Sequence, residues 1–267
     1  MSYQNPLKDA QIYDLAQPMK RGMPQSPNHP PFRMLLERRH GDQTRPDGSS
    51  ASNDLIITGA HVGTHIDALG HVSHNGLLHG GIKAADVQSN DGLRTHGIDE
   101  FVPFLGKGVL LDIAGLHGVK TLPPGYEVTV DDLERAQQMD KVEVQEGDAV
   151  LIGTGWSRRW SEHKIFIGAT DGAPGLGAEG AQWLASKKIA LTGGETIAYE
   201  VIRAGNGHSS LPVHRIMLVE HGIFIMETMR LHELLDSEAR EFLLIVSPLP
   251  IVGGTGSPVR PLAVVNK

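Results

Sequence analysis

Short apolar runs recur along the chain between segments rich in Gly, Pro and Asp, and each run has the length of a single strand. Runs of this kind, bounded by turn residues, are typical of strands in a sheet. The pattern therefore predicts strands over residues 11–15, 55–58, 108–113, 149–153, 189–191, 223–226, 243–246 and 262–265.

Three other segments have the spacing of helices. Thr129 followed by Asp132 resembles a helix N-cap with an acidic first turn, and it opens a predicted helix over residues 130–139. Two further helices are predicted over residues 178–188 and 213–221.

The remaining segments connect these elements. Prolines exclude regular helix from residues 18–32, and the charged, Gly-rich residues 37–52 indicate an exposed excursion. No internal repeat or flexible linker divides the sequence. Because strands outnumber helices and helices punctuate them, we predict a single α/β domain over residues 1–267 with a mostly β core.

Composition narrows the function classes. The chain has no cysteine, so any transition metal must sit on nitrogen and oxygen ligands. A net charge of −7 argues against a nucleic-acid or anionic-membrane partner. No apolar run reaches the length of a signal peptide core near the N-terminus, or of a membrane helix anywhere. We expect a cytoplasmic protein that acts on a small molecule.

The chemistry concentrates in one short segment. His61, His65, Asp67 and His71 fall within eleven residues. In a helix, His61 and His65 would lie one turn apart, whereas in a strand all four odd-numbered positions would share one face. Gly63 and the glycine at position 70 disfavour a helix, so we prefer an extended or looping path.

Imidazole nitrogens with one carboxylate form a donor set typical of catalytic Zn²⁺ or Mn²⁺. A bound ion lowers the pKa of a water ligand to about 7, and a further histidine beside it could shuttle a proton. The alternative is that these are solvated loop histidines.

The segment resembles the signature H-x-G-T-H-x-D-x-P-x-H of the cyclase family, which includes bacterial kynurenine formamidases and isatin hydrolases. The one departure is Leu69, where the family usually has Pro; it changes loop stiffness and removes no ligand. Weaker similarities follow in the family's order at residues 14–18, 22–24, 108–112, 147–156, 174–176, 214–218, 227, 248–250 and 255–261.

The resemblance implies a metal centre with five ligands. His61, His65 and Asp67 would bind a first ion, and Asp67 would bridge to a second ion held by His214 and Glu227. Family members are dinuclear zinc or mononuclear manganese enzymes, so one or two Zn²⁺ or Mn²⁺ ions are expected. From the residues alone, His214 could equally be a helix-face histidine and Glu227 a strand-end carboxylate.

The resemblance further implies a swivelling β/β/α fold, a homodimer or homotetramer, and His71 as the catalytic acid/base. The expected reaction is hydrolysis of an amide-type C–N bond, in an aryl formamide or a cyclic amide such as isatin, by metal-activated water. A lactonase or other cyclic-ester hydrolase, or a lyase, could use the same site. A non-catalytic metal-binding scaffold is the alternative of another class.

Apolar residues outside the signature are candidates for an aromatic or cyclic substrate's pocket. Met23, Pro24 and Phe32 lie in the Pro-rich stretch, and Trp156 follows a Thr-Gly turn. Ordinary core packing is the competing interpretation for each. Glu195 stands where the family more often has Asp, and we interpret its glycine-rich turn as structural.

Overall fold

A computed structural model describes residues 9–266, and its main feature is one nine-stranded sheet. The strands are β1 (Gln11–Asp14), β2 (Arg33–Arg38), β3 (Asn53–Ile57), β4 (His65–Asp67), β5 (Gln88–Ser89), β6 (Gly92–Leu93), β7 (Phe104–Asp112), β8 (Glu127–Val128), β9 (Ala149–Gly153), β10 (Gly172–Ala173), β11 (Gly175–Leu176), β12 (Leu191–Gly194), β13 (Ile202–Arg203), β14 (Phe224–Glu227), β15 (Glu241–Val246), β16 (Gly256–Pro258) and β17 (Leu262–Val265). The order of strands in the nine-stranded sheet is β1-β17-β15-β7-β9-β12-β14-β4-β16, and the remaining strands form four two-stranded pairs.

Helices are fewer and mostly short. No helix within residues 9–266 is long and apolar enough to span a membrane. The α-helices are α1 (Ala84–Val87), α2 (Ile113–Leu116), α3 (Val130–Asp140), α4 (His163–Phe166), α5 (Ala178–Ser186), α6 (Pro212–His214) and α7 (His232–Leu235); 3-10 turns cover His79–Gly81, Ile98–Glu100 and Trp156–Arg159, and a π-helix covers Arg215–His221.

The centre of the sheet is buried on both faces. Strands β7, β9, β12 and β14 run parallel, and antiparallel strands flank them on both sides. Val109 and Leu111 of β7 pack in one apolar core with residues of α3 and α5, while Leu110 between them packs in the core on the opposite face. Burial on both faces explains why the central strands appear in the sequence as continuous apolar runs.

Most predicted elements are confirmed. Strands β9 and β17 have the predicted bounds, and α3 begins after Thr129, whose hydroxyl and the Asp132 carboxylate form a capping box. The predicted α/β class with a mostly β core is also confirmed. The helix predicted over 213–221 is a short α-helix that continues as a π-helix.

Several predicted boundaries differ from those of the structure. Ile113 begins α2 and does not extend β7, because the Asp112 carboxylate accepts a hydrogen bond from the Gly115 amide and caps the helix. The strand predicted from residue 189 begins at Leu191. The apolar residues of β3 do not enter the main sheet: β3 pairs with β2 in a hairpin whose residues, such as Ile56, are largely exposed.

Candidate metal centre

Strand β4 supplies the first two donors of the centre. His65 and Asp67 lie two positions apart, so the alternation of a strand turns them to the same face, while Ile66 is buried on the other face. In the antiparallel pairing of β4 with β14, His65 lies opposite Glu227. The neighbouring strand therefore adds a third donor.

Turns bring His61 and His71 to the same place. Of the extended or looping path predicted for the signature, the extended part covers only His65–Asp67 in β4, and the rest is looped. Gly63 has a φ of +72°, which favours glycine, and it turns the chain between His61 and β4. At Gly70 a side chain would meet Leu93 at 2.3 Å, so a tight turn can return the chain toward His71.

His214 reaches the centre from α6 and is held by a carboxylate that the sequence analysis missed. Its ring Nδ1–H donates to Oε1 of Glu200 at 2.6 Å, and its backbone N–H donates to the same oxygen at 3.1 Å. The Val213 N–H donates to the second oxygen at 3.2 Å. Glu200 is buried, so it fixes both the ring and the start of the helix.

The side chains converge closely. His65 Nε2 lies 3.5 Å from Asp67 Oδ1 and 3.3 Å from Glu227 Oε2. His214 Nε2 lies 3.5 Å from Asp67 Oδ2 and 3.0 Å from Glu227 Oε1. The side chains form two groups of three, and within each group the ligand atoms lie within 4.8 Å of one another: His61 with His65 and Asp67, and Asp67 with His214 and Glu227. Asp67 belongs to both.

The donor chemistry fits a divalent cation. His65 Nδ1–H donates to the Gly63 carbonyl at 2.8 Å and His214 Nδ1–H to Glu200, so Nε2 is the nitrogen that each ring turns toward the carboxylates. Asp67 Oδ2 and Glu227 Oε1 are buried without a hydrogen-bond partner among the described residues. Buried acceptors that face one another need a cation between them.

Protons compete for this position in the metal-free protein. Burial alone would lower the pKa of His214, but contacts with Asp67, Glu200 and Glu227 outweigh burial and raise that pKa well above its usual value. The pKa of His65 is raised against burial in the same way by Glu227 and Asp67. For Asp67, burial would raise the pKa, but the surrounding imidazoles lower it well below the usual value. The site therefore strongly prefers positive charge.

His61 is positioned by residues from the C-terminal part of the chain. Its Nδ1 lies 2.7 Å from Asp67 Oδ1, and its Nε2 lies 2.9 Å from the Thr255 hydroxyl. A side chain at Gly256 would meet the His61 ring at 2.6 Å. The orientation of the His61 ring is therefore fixed by Thr255 and Gly256. In the sequence, these two residues belong only to one of the weaker similarities to the family.

His71 stands beside the donor groups and belongs to neither. Its ring stacks on that of His61, with the centroids 3.8 Å apart. Burial lowers the pKa of His71 to about 4. The imidazole is therefore neutral at pH 7 and can accept a proton.

A cavity of about 240 Å³ opens on this cluster. His29, from the Pro-rich stretch, and His208, from the loop before α6, form part of its wall, and burial lowers the pKa of both. Sequence reasoning missed these two histidines, since neither has a regular spacing to the signature. The cavity is lined by Asn28, His29, His61, His65, His71, Val72, Ile197, Ala198, His208, Leu211, His214 and Glu227.

The four apolar residues predicted to bind substrate do not line this cavity. Met23 and Phe32 pack with Val62 in a small buried cluster. Trp156 is 1% exposed, donates its indole N–H to the Phe166 carbonyl at 2.9 Å, and packs behind the cavity residues Ile197 and Ala198. Core packing is the better interpretation of Met23, Phe32 and Trp156. Pro24 is likewise buried.

Two further residues have structural surroundings. The buried Glu195 carboxylate accepts hydrogen bonds from the backbone N–H and the hydroxyl of both Thr154 and Ser157, so it joins the end of β12 to the loop after β9. Leu69, in place of the family's Pro, is partly buried against the apolar core.

Comparisons with known proteins agree with this geometry. A family model described as "Putative cyclase" matches residues 13–201. An isatin hydrolase from Roseibium aggregatum is 26% identical over 225 residues, covering 83% of this chain and 78% of that protein. A kynurenine formamidase from Bacillus mycoides is 23% identical over 254 residues, covering 95% of this chain and 97% of that protein. The solved structure of a novel cyclase superimposes with a TM-score of 0.85 at 30% identity, covering 96% of this chain and 87% of that one.

Proposed function

The chain belongs to the cyclase family, and from that premise we propose that it is a metal-dependent amidohydrolase acting on a small aromatic or cyclic substrate. The name isatin hydrolase denotes the opening of a cyclic amide, and the name kynurenine formamidase denotes the cleavage of an aryl formamide. Both reactions hydrolyse a C–N bond.

The observation that carries the proposal is the juxtaposition of a cation site with a neutral base inside one cavity. His65 and His214 turn Nε2 toward the carboxylates of Asp67 and Glu227. Each carboxylate has one buried oxygen without a hydrogen-bond partner among the described residues, and His71 lies beside the cluster. A purely structural ion site has no use for an adjoining cavity or for an imidazole outside the ligand set. This speaks against a non-catalytic scaffold.

His61, His65 and Asp67 would hold one divalent ion, and Asp67, His214 and Glu227 a second. When bound, such an ion supplies Lewis acidity to the carbonyl oxygen and lowers the pKa of water to about 7. A donor set made only of nitrogen and oxygen atoms suits Zn²⁺ or Mn²⁺.

His71 would carry the proton. Being neutral at pH 7, its imidazole accepts a proton from the attacking water, whose oxygen adds to the carbonyl carbon. The C–N bond then breaks, the acyl carbon keeps the water oxygen, and the nitrogen leaves with the proton that His71 returns. The stacking of His71 on His61 holds the imidazole beside the reacting atoms.

The test combines metal analysis with a rate screen. We expect purified protein supplied with Zn²⁺ or Mn²⁺ to hydrolyse formanilide or isatin, and a chelator to abolish the rate. His71→Ala should lower kcat by about 10²–10⁴-fold while the bound metal stays unchanged. Turnover of simple lactones alone would replace the amide assignment, and loss of metal from His71→Ala would make His71 a ligand.

A further inference from the structure

A second cavity adjoins the cavity at the metal centre. The cavity at the metal centre, the first chamber, measures about 240 Å³ and the second chamber about 470 Å³. Asn28 and His208 line both chambers, so these two residues lie at the border between them. The second chamber holds none of the candidate metal-binding residues, and its role is therefore separate from the reacting atoms.

The volumes of the two chambers suit different parts of a substrate. The first is smaller than the roughly 300–1,000 Å³ of typical ligand pockets. At this volume it has room for the scissile group and a small ring beside the metal donors and His71. A larger substrate can extend past Asn28 and His208 into the second chamber.

The walls of the second chamber are uncharged and in good part apolar. Its apolar lining residues are Pro27, Ile167, Ala169 and Ile202, and its polar lining residues are Asn28, Asn206 and His208. No Asp, Glu, Lys or Arg lines it among the described residues. A charged ammonium or carboxylate placed here would lose its hydration without gaining a partner of opposite charge.

We propose that the second chamber binds an uncharged, largely apolar substituent of the substrate, so that this enzyme favours extended neutral amides over formamides with a zwitterionic side chain. The inference rests on the proposed amidohydrolase function. It adds the substrate class within that function, and it assigns Asn28, His208 and Ala169 to substrate selection.

Three formanilides test the proposal: the parent compound, its 4-butyl derivative, and a derivative with a zwitterionic amino-acid side chain. The metal-loaded enzyme should turn over the butyl compound with a kcat/KM at least tenfold above the parent, as expected for methylenes entering an apolar pocket. The kcat/KM of the zwitterionic compound should not exceed that of the parent compound. In the same preparation, 4-butylaniline should inhibit at least tenfold more tightly than aniline.

Ala169 offers a matched pair of variants because it lines the second chamber from an exposed position. Ala169→Phe should fill the chamber and remove the tenfold advantage in kcat/KM of the butyl compound over formanilide. Ala169→Ser should retain this advantage, because the serine side chain is small.

The outcomes separate two failures. If no formanilide is hydrolysed with metal supplied, the proposed function fails. If formanilide is hydrolysed but the butyl group brings no gain in rate or inhibition, or the zwitterionic compound is preferred, the assignment of the second chamber is overturned. The inhibition comparison uses the wild-type chain, so it decides the matter even if Ala169→Phe does not fold.

Discussion

Replacing Glu200 by Gln probes how much of the metal affinity depends on a residue that touches no metal. Glu200 accepts three hydrogen bonds, from the ring Nδ1–H of His214 at 2.6 Å and from the backbone N–H groups of His214 and Val213. The side-chain amide of Gln keeps the shape and one accepting oxygen but loses the negative charge. The His214 imidazole becomes a weaker donor of electrons and is held less firmly.

The expected magnitude follows from similar pairs. Loss of a hydrogen-bonded partner of a metal-binding histidine costs about 10–100-fold in metal affinity. This corresponds to about 1.4–2.8 kcal/mol of binding free energy. Titration against a chromophoric chelator measures the Kd directly, and calorimetric melting of the metal-free protein measures stability separately.

Glu195→Gln is the matched control. Glu195 is also a fully buried carboxylate that accepts two backbone hydrogen bonds, but its partners Thr154 and Ser157 belong to the structural region after β9. This variant should lower the melting temperature and leave the metal Kd within about threefold of wild type. Equal losses of affinity in both variants, or an unchanged Kd in Glu200→Gln, would refute the assignment of Glu200 as a positioning residue.

Three other predictions concern the same centre. Thr255→Val removes the hydroxyl 2.9 Å from His61 Nε2 and should weaken metal binding about tenfold, whereas Thr255→Ser should retain it; equal affinities in both would exclude the contact. Asp67→Ala should leave less than one-tenth of the bound metal by elemental analysis, since Asp67 belongs to both donor groups, and full retention would contradict the bridging proposal. Metal affinity should fall as the pH drops below the raised pKa values of His65 and His214, because protons then occupy the coordinating nitrogens, and should level off above them. Calorimetry in buffers of different ionisation enthalpy should detect proton release on binding; affinity independent of pH would count against this.

Local spacing was enough to find part of the site. His61, His65, Asp67 and His71 lie within eleven residues, so a turn on each side of a short strand is enough to bring them together. The alternation of a strand holds only for His65 and Asp67, since the turns around Gly63 and Gly70 interrupt it. A pattern of period two gives the face of a residue only as far as the strand extends.

For the residues predicted to bind substrate, the sequence did not distinguish a pocket from the core. Met23, Phe32 and Trp156 are large and apolar, and both a pocket and a core use such residues. Their sequence positions do not distinguish the two uses, whereas their burial does. His29 and His208 line the cavity, and neither belongs to a pattern that would have marked it.

Local sequence is enough to specify most elements and the type of chemistry. Apolar runs specify the central strands, the capping residues begin α3, and a chain without cysteine can offer a metal only nitrogen and oxygen donors. The family resemblance named His214 and Glu227, but how these distant residues meet the signature depends on the tertiary structure. Strand β4 lies between β14 and β16 in the sheet, although more than 150 residues separate it from each along the chain. That placement brings Glu227 opposite His65 and the residues beside Thr255 against His61. Strand order depends on the packing of the whole sheet, which no local periodicity encodes.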